Sequence, residues 1–316
     1  MNIILVSPYV APSARGDAFA AERLKEGLAE LGHEVKLFNG RRPFVEDVLA
    51  TPADVLHSIN AYLCHDWVEQ YLENRKIPWV ITLTGADYDL AQGTLPQKVR
   101  ASLTKADRLV VSNEHTQKRL AELDGSCLHK TKVLSPGMEA LLENQEPLEL
   151  RRECGVSSNQ VFFLLASGIR PIKDVGLALR ACKSLHSENI VFGLVGPGID
   201  AVETSKVLSD GVPIHSFYYY GPKLRSETRQ YMRAADVFIN TSKRDELSSA
   251  MLEAMAEGCA VIATATPINE TLIDDGQNGL LIPVGDSDAL ATACALLEKD
   301  EYLRNRLSKA AKETVV

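Results

Sequence analysis

A segment near residue 245 combines acidic side chains with the start of a helix. Residues 241–264 read TSKRDELSSAMLEAMAEGCAVIAT, and seven residues separate Asp245 from Glu253. The pattern predicts a strand, a polar loop, a helix that begins near Ser248 and a further strand. Amides at a helix N-terminus bind phosphate, whereas carboxylates accept hydrogen bonds from sugar hydroxyls. The residues expected to present those amides are Leu247, Ser248, Ser249 and Ala250.

This arrangement suits a ligand that carries a diphosphate between two hydroxyl-bearing groups. An ordinary N-cap with acidic residues in the first helical turn is the structural alternative. Both interpretations need a scaffold that brings the helix start to an open edge of the protein.

Alternating strands and helices supply that scaffold. Near-continuous apolar runs such as Val161–Ala166 are typical of strands that are buried on both faces. Helical spacing separates the runs, for example over residues 18–31, where Gly32 is expected to end the helix. Strands that alternate with helices pair in parallel through crossovers, which predicts doubly wound parallel α/β sheets.

The alternation lapses over residues 135–160, a stretch that contains Pro136, Gly137, Pro147 and Gly155. We interpret it as a linker with a short helix. The chain is therefore predicted to form two Rossmann-like domains, residues 1–145 and 146–316, that face each other across a cleft. Ligands of such sheets bind beyond the carboxyl ends of the strands, so the cleft is the expected site.

Composition excludes several classes of protein. The 316 residues include 34 Lys and Arg against 42 Asp and Glu, a net charge of -8 at pH 7, whereas nucleic-acid binding needs a basic face. No apolar run approaches the ~18–20 residues of a transmembrane helix, and no signal peptide is evident, although peripheral membrane contact stays open. Six scattered cysteines without metal-ligand spacing indicate a reducing compartment, so we expect a cytoplasmic protein without a metal site.

The segment 241–264 resembles the nucleotide-sugar signature of family-4 glycosyltransferases, which have the GT-B fold. That signature is an acidic residue, seven further residues and Glu, followed by Ala-Met-Ala-x-Gly-x-x-Val-Ile-Ala, as in residues 245–263 here. The resemblance implies that Glu253 holds the ribose of the nucleotide. It also implies that Asp245, where the family normally has Glu, contacts the donor sugar alone or together with Glu246.

A second match follows the strand Val161–Ala166. The family has an Arg and a Lys there that neutralise the donor diphosphate; Lys173 aligns with the Lys, Gly168 stands at the Arg position, and Arg170 lies two residues later. The resemblance implies that Arg170 and Lys173 stabilise the departing nucleotide, the alternative being a solvated loop. The glycines implied to border the donor are Gly16, Gly168, Gly196 and Gly221.

The first half of the chain resembles the family less closely. His57 ends a predicted strand, and Thr84 stands where the family has an active-site His. Each position has a plain alternative, a structural histidine for the former and an ordinary turn for the latter. The residues expected on the acceptor side are Asp17, His57, Thr84, Gly85 and Asp87.

Two stretches, Gly-Ile-Arg-Pro-Ile-Lys-Asp and Leu-Thr-Gly-Ala-Asp, resemble a narrower branch that includes bacterial selenosugar synthases and glycosyltransferase-1-domain-containing proteins. The resemblance implies a retaining, metal-independent transferase whose co-substrate is a nucleoside-diphosphate sugar, with UDP the expected nucleotide and no cofactor. The acceptor is left open as a sugar, a lipid or another small molecule. The alternatives are a nucleotide-sugar epimerase or phosphorylase of the same fold, or a protein that binds nucleotide sugars with little or no turnover. A dehydrogenase is not expected, because neither half has GxGxxG after its first strand.

Overall fold

A computed structural model describes residues 1–13, 15–42, 48, 50–73, 75–84, 87, 94–135, 147–211, 216–244 and 247–315. The chain divides into two compact units, Met1–Pro136 and Gly137–Val316. The domain boundary predicted between residues 145 and 146 falls among residues 136–146, which lie outside the described residues. That boundary and the facing arrangement of the two domains therefore stay predictions.

The first unit is a six-stranded parallel sheet with helical connections. Its strand order is β2-β1-β3-β4-β5-β6. The strands are β1 (Asn2–Ser7), β2 (Glu34–Asn39), β3 (Val55–Ile59), β4 (Trp79–Thr82), β5 (Arg108–Val111) and β6 (Thr131–Val133). The described helices are α1 (Gly16–Glu30), α2 (His65–Leu72), α3 (Gln97–Lys105) and α4 (Glu114–Leu123), with a 3₁₀ segment at Gly125–Lys130.

The second unit is also a six-stranded parallel sheet, in the order β12-β11-β10-β7-β8-β9. Its strands are β7 (Val161–Ala166), β8 (Ile190–Val195), β9 (Phe217–Gly221), β10 (Val237–Asn240), β11 (Ala260–Thr264) and β12 (Leu280–Ile282). Its described helices are α5 (Pro147–Glu153), α6 (Val175–Ser184), α7 (Ala201–Gly211), α8 (Arg225–Ala234), α9 (Ser249–Glu257), α10 (Asn269–Leu272), α11 (Ser287–Lys299) and α12 (Glu301–Val315). These two parallel sheets confirm the predicted α/β fold class.

Side chains of β7 alternate between two apolar layers. Phe163 and Leu165 pack into the cluster on one face, whereas Phe162 and Leu164 pack into the cluster on the other. All four are at most 1% exposed, because helices cover both faces of the sheet. This double burial explains why β7 is a continuous apolar run in the sequence.

Each sheet has a point where consecutive connections leave in opposite directions. In the first unit it lies between the neighbours β1 and β3, and in the second unit between β7 and β10. Crevices at such points, beyond the carboxyl ends of the strands, are where ligands bind in open α/β sheets. The segments that follow β1, β3, β7 and β10 are therefore the ones that position a site.

The predicted elements differ from the observed ones mainly at their ends. The strand that His57 was predicted to end runs instead from Val55 to Ile59, so His57 lies in its middle. The helix Asn269–Leu272 was not predicted, because four residues are too few to show a helical period.

Candidate functional site

The segments after β7 and β10 are hydrogen-bonded to each other. The amide of Lys243 donates to the carbonyl of Ile172 at 2.9 Å. The hydroxyl Oγ1 of Thr241 donates to the carbonyl of Lys173 at 2.8 Å. The structure thus holds the loop with the predicted phosphate-binding cations beside the segment that leads into α9.

Glycines let the neighbouring loops approach at backbone distance. Gly196 has φ +145°, and a Cβ there would lie 2.0 Å from the carbonyl oxygen of Ser167. A Cβ on Gly168 would lie 2.3 Å from Cδ1 of Ile199. Gly196 also donates its amide to the carbonyl of Gly221 at 2.9 Å. Gly168 and Gly196, two of the glycines expected to border the donor, therefore have a packing role, and donor contact by them stays a prediction.

Arg170 immediately precedes a single 3₁₀ turn, Pro171–Lys173, and Lys173 is the last residue of that turn. Both side chains are half-buried. The Nε atom of Arg170 is buried and has no hydrogen-bond partner in the part of the chain that the structure describes. A buried guanidinium N–H without a protein acceptor is uncommon and suits a bound anion.

Asp174 anchors the same turn, and sequence reasoning missed it. The residue has φ +40°, in the left-handed region, and is 6% exposed. Its carboxylate lies 3.4 Å from Nζ of Lys243 and 3.7 Å from Nη2 of Arg180. Asp tolerates the left-handed conformation better than most residues, and here its charge also joins the two loops.

The N-terminus of α9 begins as the sequence predicts. Ser248 is the N-cap, and its Oγ accepts a hydrogen bond from the amide of Met251 at 3.4 Å. Helix geometry leaves the amides of Ser249 and Ala250 without intrahelical acceptors, so they are the ones available to an anion. Leu247 immediately precedes the cap. Asp245 and Glu246, expected at the donor sugar, lie outside the described residues.

Glu253 projects from α9 toward α8 and is 6% exposed. Nε of Arg225 donates to Oε1 of Glu253 at 2.8 Å. One turn further on, Glu257 is bound by Nε of Arg229 at 2.7 Å and by Nε of Arg233 at 3.2 Å. These three ion pairs form an arginine–glutamate ladder between α8 and α9. The ladder holds the side chain of Glu253, the residue expected to bind ribose.

The arginine–glutamate ladder was not predicted, although the spacing of its residues in the sequence indicates it. The arginines recur at every fourth residue of α8, and the two glutamates are four apart on α9. Such spacing places each set on one helical face.

In the first unit, Asp17 lies in the first turn of α1, at the switch point. Oγ of Ser7 donates to the carbonyl of Asp17 at 3.2 Å, joining the end of β1 to the helix start. Gly16, the first residue of α1, is exposed and has open space around its Cα.

Asp87 is 2% exposed and accepts hydrogen bonds from three backbone amides. These are the amides of Ala61, of Tyr62 at 3.4 Å and of Thr84 at 2.6 Å. Burial raises the pKa of Asp87 to about 7, and the nearby Asp17 charge acts in the same direction. Asp87 therefore holds the segments after β3 and β4 together, which is the turn-forming alternative at this position. A contact with an acceptor stays a prediction, and Gly85 lies outside the described residues.

His57 lies in β3 and bonds across the sheet. Its Nε2 is 2.8 Å from Oγ1 of Thr82 in β4. Burial lowers the pKa of His57 to about 4, so the imidazole is neutral near pH 7. Thr84, which follows β4, bonds instead to Asp87 and to Nδ2 of Asn60 at 3.4 Å. The structure does not place His57 and Thr84 in direct contact.

Neither a cluster of metal-ligating side chains nor a membrane-spanning helix is found among the described residues. They contain no group of three or more His, Cys, Asp or Glu side chains that could hold a metal ion. No described helix combines the length and apolar character needed to cross a membrane.

The chain is similar to a known protein family and to several curated proteins. A family model described as Glycosyl transferases group 1 matches residues 147–314. A D-inositol 3-phosphate glycosyltransferase of Geodermatophilus obscurus is 28% identical over 64% of this chain and 48% of its own length. The lipopolysaccharide core biosynthesis glycosyltransferase LpsE of Rhizobium meliloti is 34% identical over 29% of this chain and 27% of its own length. The chain thus spans about half of the length of the first of these two relatives and about a quarter of the second.

A solved structure covers more of the chain. Anabaena Alr3699/HepE in complex with UDP and glucose superposes with a TM-score of 0.81 at 17% sequence identity. The match covers 100% of this chain and 94% of that one. The likeness confirms the predicted GT-B fold class.

Proposed function

The chain belongs to the glycosyl transferases group 1 family, and from that premise we propose that it is a retaining glycosyltransferase. Its donor would be a UDP-linked sugar, and its acceptor a small molecule. Within the family we place it among the family-4 enzymes, in the branch that resembles selenosugar synthases. The six buried free cysteines support a reducing compartment, the cytoplasm.

One observation carries the proposal: the loop with Arg170 and Lys173 is hydrogen-bonded to the segment that opens α9. This pairing places the loop with two cations beside the segment that leads into α9, and the Nε of Arg170 has no hydrogen-bond partner among the described residues. A diphosphate can neutralise the two cations and accept a hydrogen bond from the Nε of Arg170, since it accepts several charge-assisted hydrogen bonds. Bound UDP and glucose in Anabaena Alr3699/HepE support the proposal of UDP as the nucleotide.

Each group then has a distinct role in the reaction. Arg170, Lys173 and the amides of Ser249 and Ala250 would stabilise the negative charge that develops on UDP as the glycosidic bond breaks. Glu253, oriented by Arg225, would accept hydrogen bonds from the ribose hydroxyls. Asp245, alone or with Glu246, would bind the donor sugar.

Retention would follow from attack on the face that UDP leaves. The acceptor hydroxyl would pass its proton to a donor phosphate oxygen as its bond to the anomeric carbon forms. No side chain need act as the nucleophile. The two cations would also take the place of a divalent ion at the diphosphate, so we propose a metal-independent reaction.

Calorimetric binding of UDP and of uridine separates these roles. Lys173→Met should weaken UDP binding about tenfold or more and leave uridine binding unchanged, because only UDP carries the diphosphate. Glu253→Gln should weaken both ligands by the same factor, since both carry the ribose. Lys183→Met is the matched control, because Lys183 is an exposed lysine of α6 that pairs with Asp210 at 4.0 Å. Equal UDP affinity in all four proteins would refute the proposed donor site.

Turnover of UDP-sugars tests the activity itself. Transfer to an acceptor with the anomeric configuration of the donor, read by NMR and unaffected by EDTA, is the expected result. An isomerised sugar without transfer would identify an epimerase. Binding without any turnover across a broad acceptor panel would identify a nucleotide-sugar-binding protein.

A further inference from the structure

Two arginines converge on one tyrosine in the first unit. Nη1 of Arg15 lies 3.0 Å from the hydroxyl oxygen of Tyr9, and Nη1 of Arg41 lies 2.7 Å from the same oxygen. The guanidinium carbons of Arg15 and Arg41 lie 4.3 and 5.2 Å from the centroid of the Tyr9 ring. Two positive charges are therefore held against a single side chain.

All three residues lie at the carboxyl edge of the sheet. Tyr9 follows β1, Arg41 follows β2, and Arg15 is the N-cap residue of α1, whose side chain makes no capping bond. The cluster thus borders the segment after β1, one side of the switch point of this unit.

The two positive charges of this cluster have no acidic partner among the residues that the structure describes. Within the described part of the chain, neither Arg15 nor Arg41 forms an ion pair with a carboxylate. The acidic residue nearest to Arg15 in the described sequence, Asp17, acts electrostatically on Asp87 and Cys64. Like charges repel, so a conformation that brings two guanidiniums together is stabilised when an anion joins them.

The hydroxyl of Tyr9 completes a set of donors. Its oxygen accepts from both guanidiniums, which uses its two lone pairs and leaves its own O–H free to donate outward. Two guanidinium forks and one hydroxyl match the acceptor-rich geometry of a phosphate or a carboxylate.

We propose that Tyr9, Arg15 and Arg41 form an oxyanion subsite that binds the phosphate or carboxylate of the acceptor. The proposal rests on the transferase function proposed above and narrows it. It assigns the acceptor to small hydroxylated molecules that carry an anionic group and makes a neutral sugar a poor substrate.

Binding of simple anions tests the subsite without any need for turnover. Inorganic phosphate and glycerol 3-phosphate are titrated by calorimetry, with glycerol as the neutral counterpart. Arg15→Gln and Arg41→Gln should each weaken anion binding about tenfold, and Tyr9→Phe by a smaller factor. Arg42→Gln is the matched control, because it removes the same charge from an exposed neighbour that makes no described contact with Tyr9.

The same variants identify the source of the anion. UDP affinity should stay within twofold of the native value in all of them. A loss of UDP affinity in Arg15→Gln and Arg41→Gln would instead assign the cluster to the donor diphosphate and overturn the proposal. So would absence of anion binding to the native protein, or equal binding by all variants.

Transfer assays separate this inference from the proposed function. If the enzyme transfers sugar, the KM of anionic acceptors should rise about tenfold in the two arginine variants, with kcat and neutral acceptors unaffected. Transfer that is insensitive to both arginines refutes the subsite and leaves the transferase. Arginine-dependent anion binding without transfer refutes the transferase, and the anion site stands without an acceptor role.

Discussion

The two units hold the loops at the carboxyl ends of their sheets in place by different kinds of contact, which we call backbone fastening and side-chain fastening. In the second unit the fastening is largely backbone on backbone, through Gly196 against Ser167 and the amide of Lys243 on Ile172. In the first unit it is done by side chains, because Asp87 accepts three amide hydrogen bonds and Asn60, at φ +77°, accepts two. Backbone fastening leaves polar side chains available for ligands, whereas side-chain fastening consumes them.

The largest expected effect is at the backbone contact. Gly196→Ala should destabilise the protein by about 4 kcal/mol or more. At φ +145° the added Cβ would clash with the carbonyl oxygen of Ser167, which is a backbone atom and cannot rotate away. Gly221→Ala is the matched control, at φ +73° with open space around it, and should cost only about 1–2 kcal/mol. Calorimetric unfolding measures both. Equal losses would contradict backbone fastening.

The corresponding change in the first unit is Asp87→Ala. Removing the carboxylate leaves buried amides without acceptors, so the free energy of unfolding should fall by about 3 kcal/mol. Fluorescence-detected denaturation reads this unit selectively, because both tryptophans, Trp67 and Trp79, belong to it. The control Asp66→Ala removes an exposed carboxylate paired with Lys98 at 2.6 Å and should cost less than about 1 kcal/mol. A similar loss in both variants would contradict a fastening role for Asp87.

Acid should weaken the first unit through His57. Its folded pKa of about 4 lies below the ordinary value of 6.5, so its stabilising contribution is complete above pH 6.5 and is lost as the pH falls toward 4. The stability difference between the native protein and His57→Gln should shrink by about 2 kcal/mol between about pH 7 and about pH 5. A difference that does not change with pH would show that His57 titrates normally.

Asp87 should make the free energy of unfolding depend on pH in the opposite direction to His57, between about pH 4 and about pH 7. Its folded pKa of about 7 exceeds the ordinary 3.8, so its contribution is complete below pH 3.8 and is lost as the pH rises through 7. Relative to Asp87→Asn, the native protein should lose stability as the pH rises from about 4 to about 7. Denaturation series at several pH values, followed by tryptophan fluorescence, would reveal the two opposing slopes separately.

The smallest effect is expected from a single side chain of the second unit. Thr241→Val keeps the shape of the residue and removes the hydrogen bond to the carbonyl of Lys173, at a cost of about 1 kcal/mol. Thermal unfolding measures it. A loss of stability as large as that of Asp87→Ala would show that side-chain hydrogen bonds hold the loops of both units equally.

The contrast also explains which expectations could be drawn from the sequence. The apolar run of β7 was predicted to the residue, because burial on both faces leaves an unbroken hydrophobic pattern. The N-terminus of α9 was predicted from the Ser248 region, since capping is a local property.

The tertiary contacts of the expected site residues could not be predicted from the sequence. The contacts described for His57 and Asp87 are with Thr82 and with backbone amides, and contact of either residue with an acceptor stays a prediction. Their burial follows from strand pairing and loop packing, which a single sequence does not specify. Asp174 was missed for the same reason, because its partner Lys243 follows a different strand.

The six cysteines make the separate opening of the two units measurable. Each thiol is buried and free, two in the first unit and four in the second. Burial raises the pKa of Cys64, Cys154 and Cys294, which suppresses the reactive thiolate while the chain is folded. Mass spectrometry of alkylated protein would thus count two adducts when one half opens, four when the other does and six on complete denaturation.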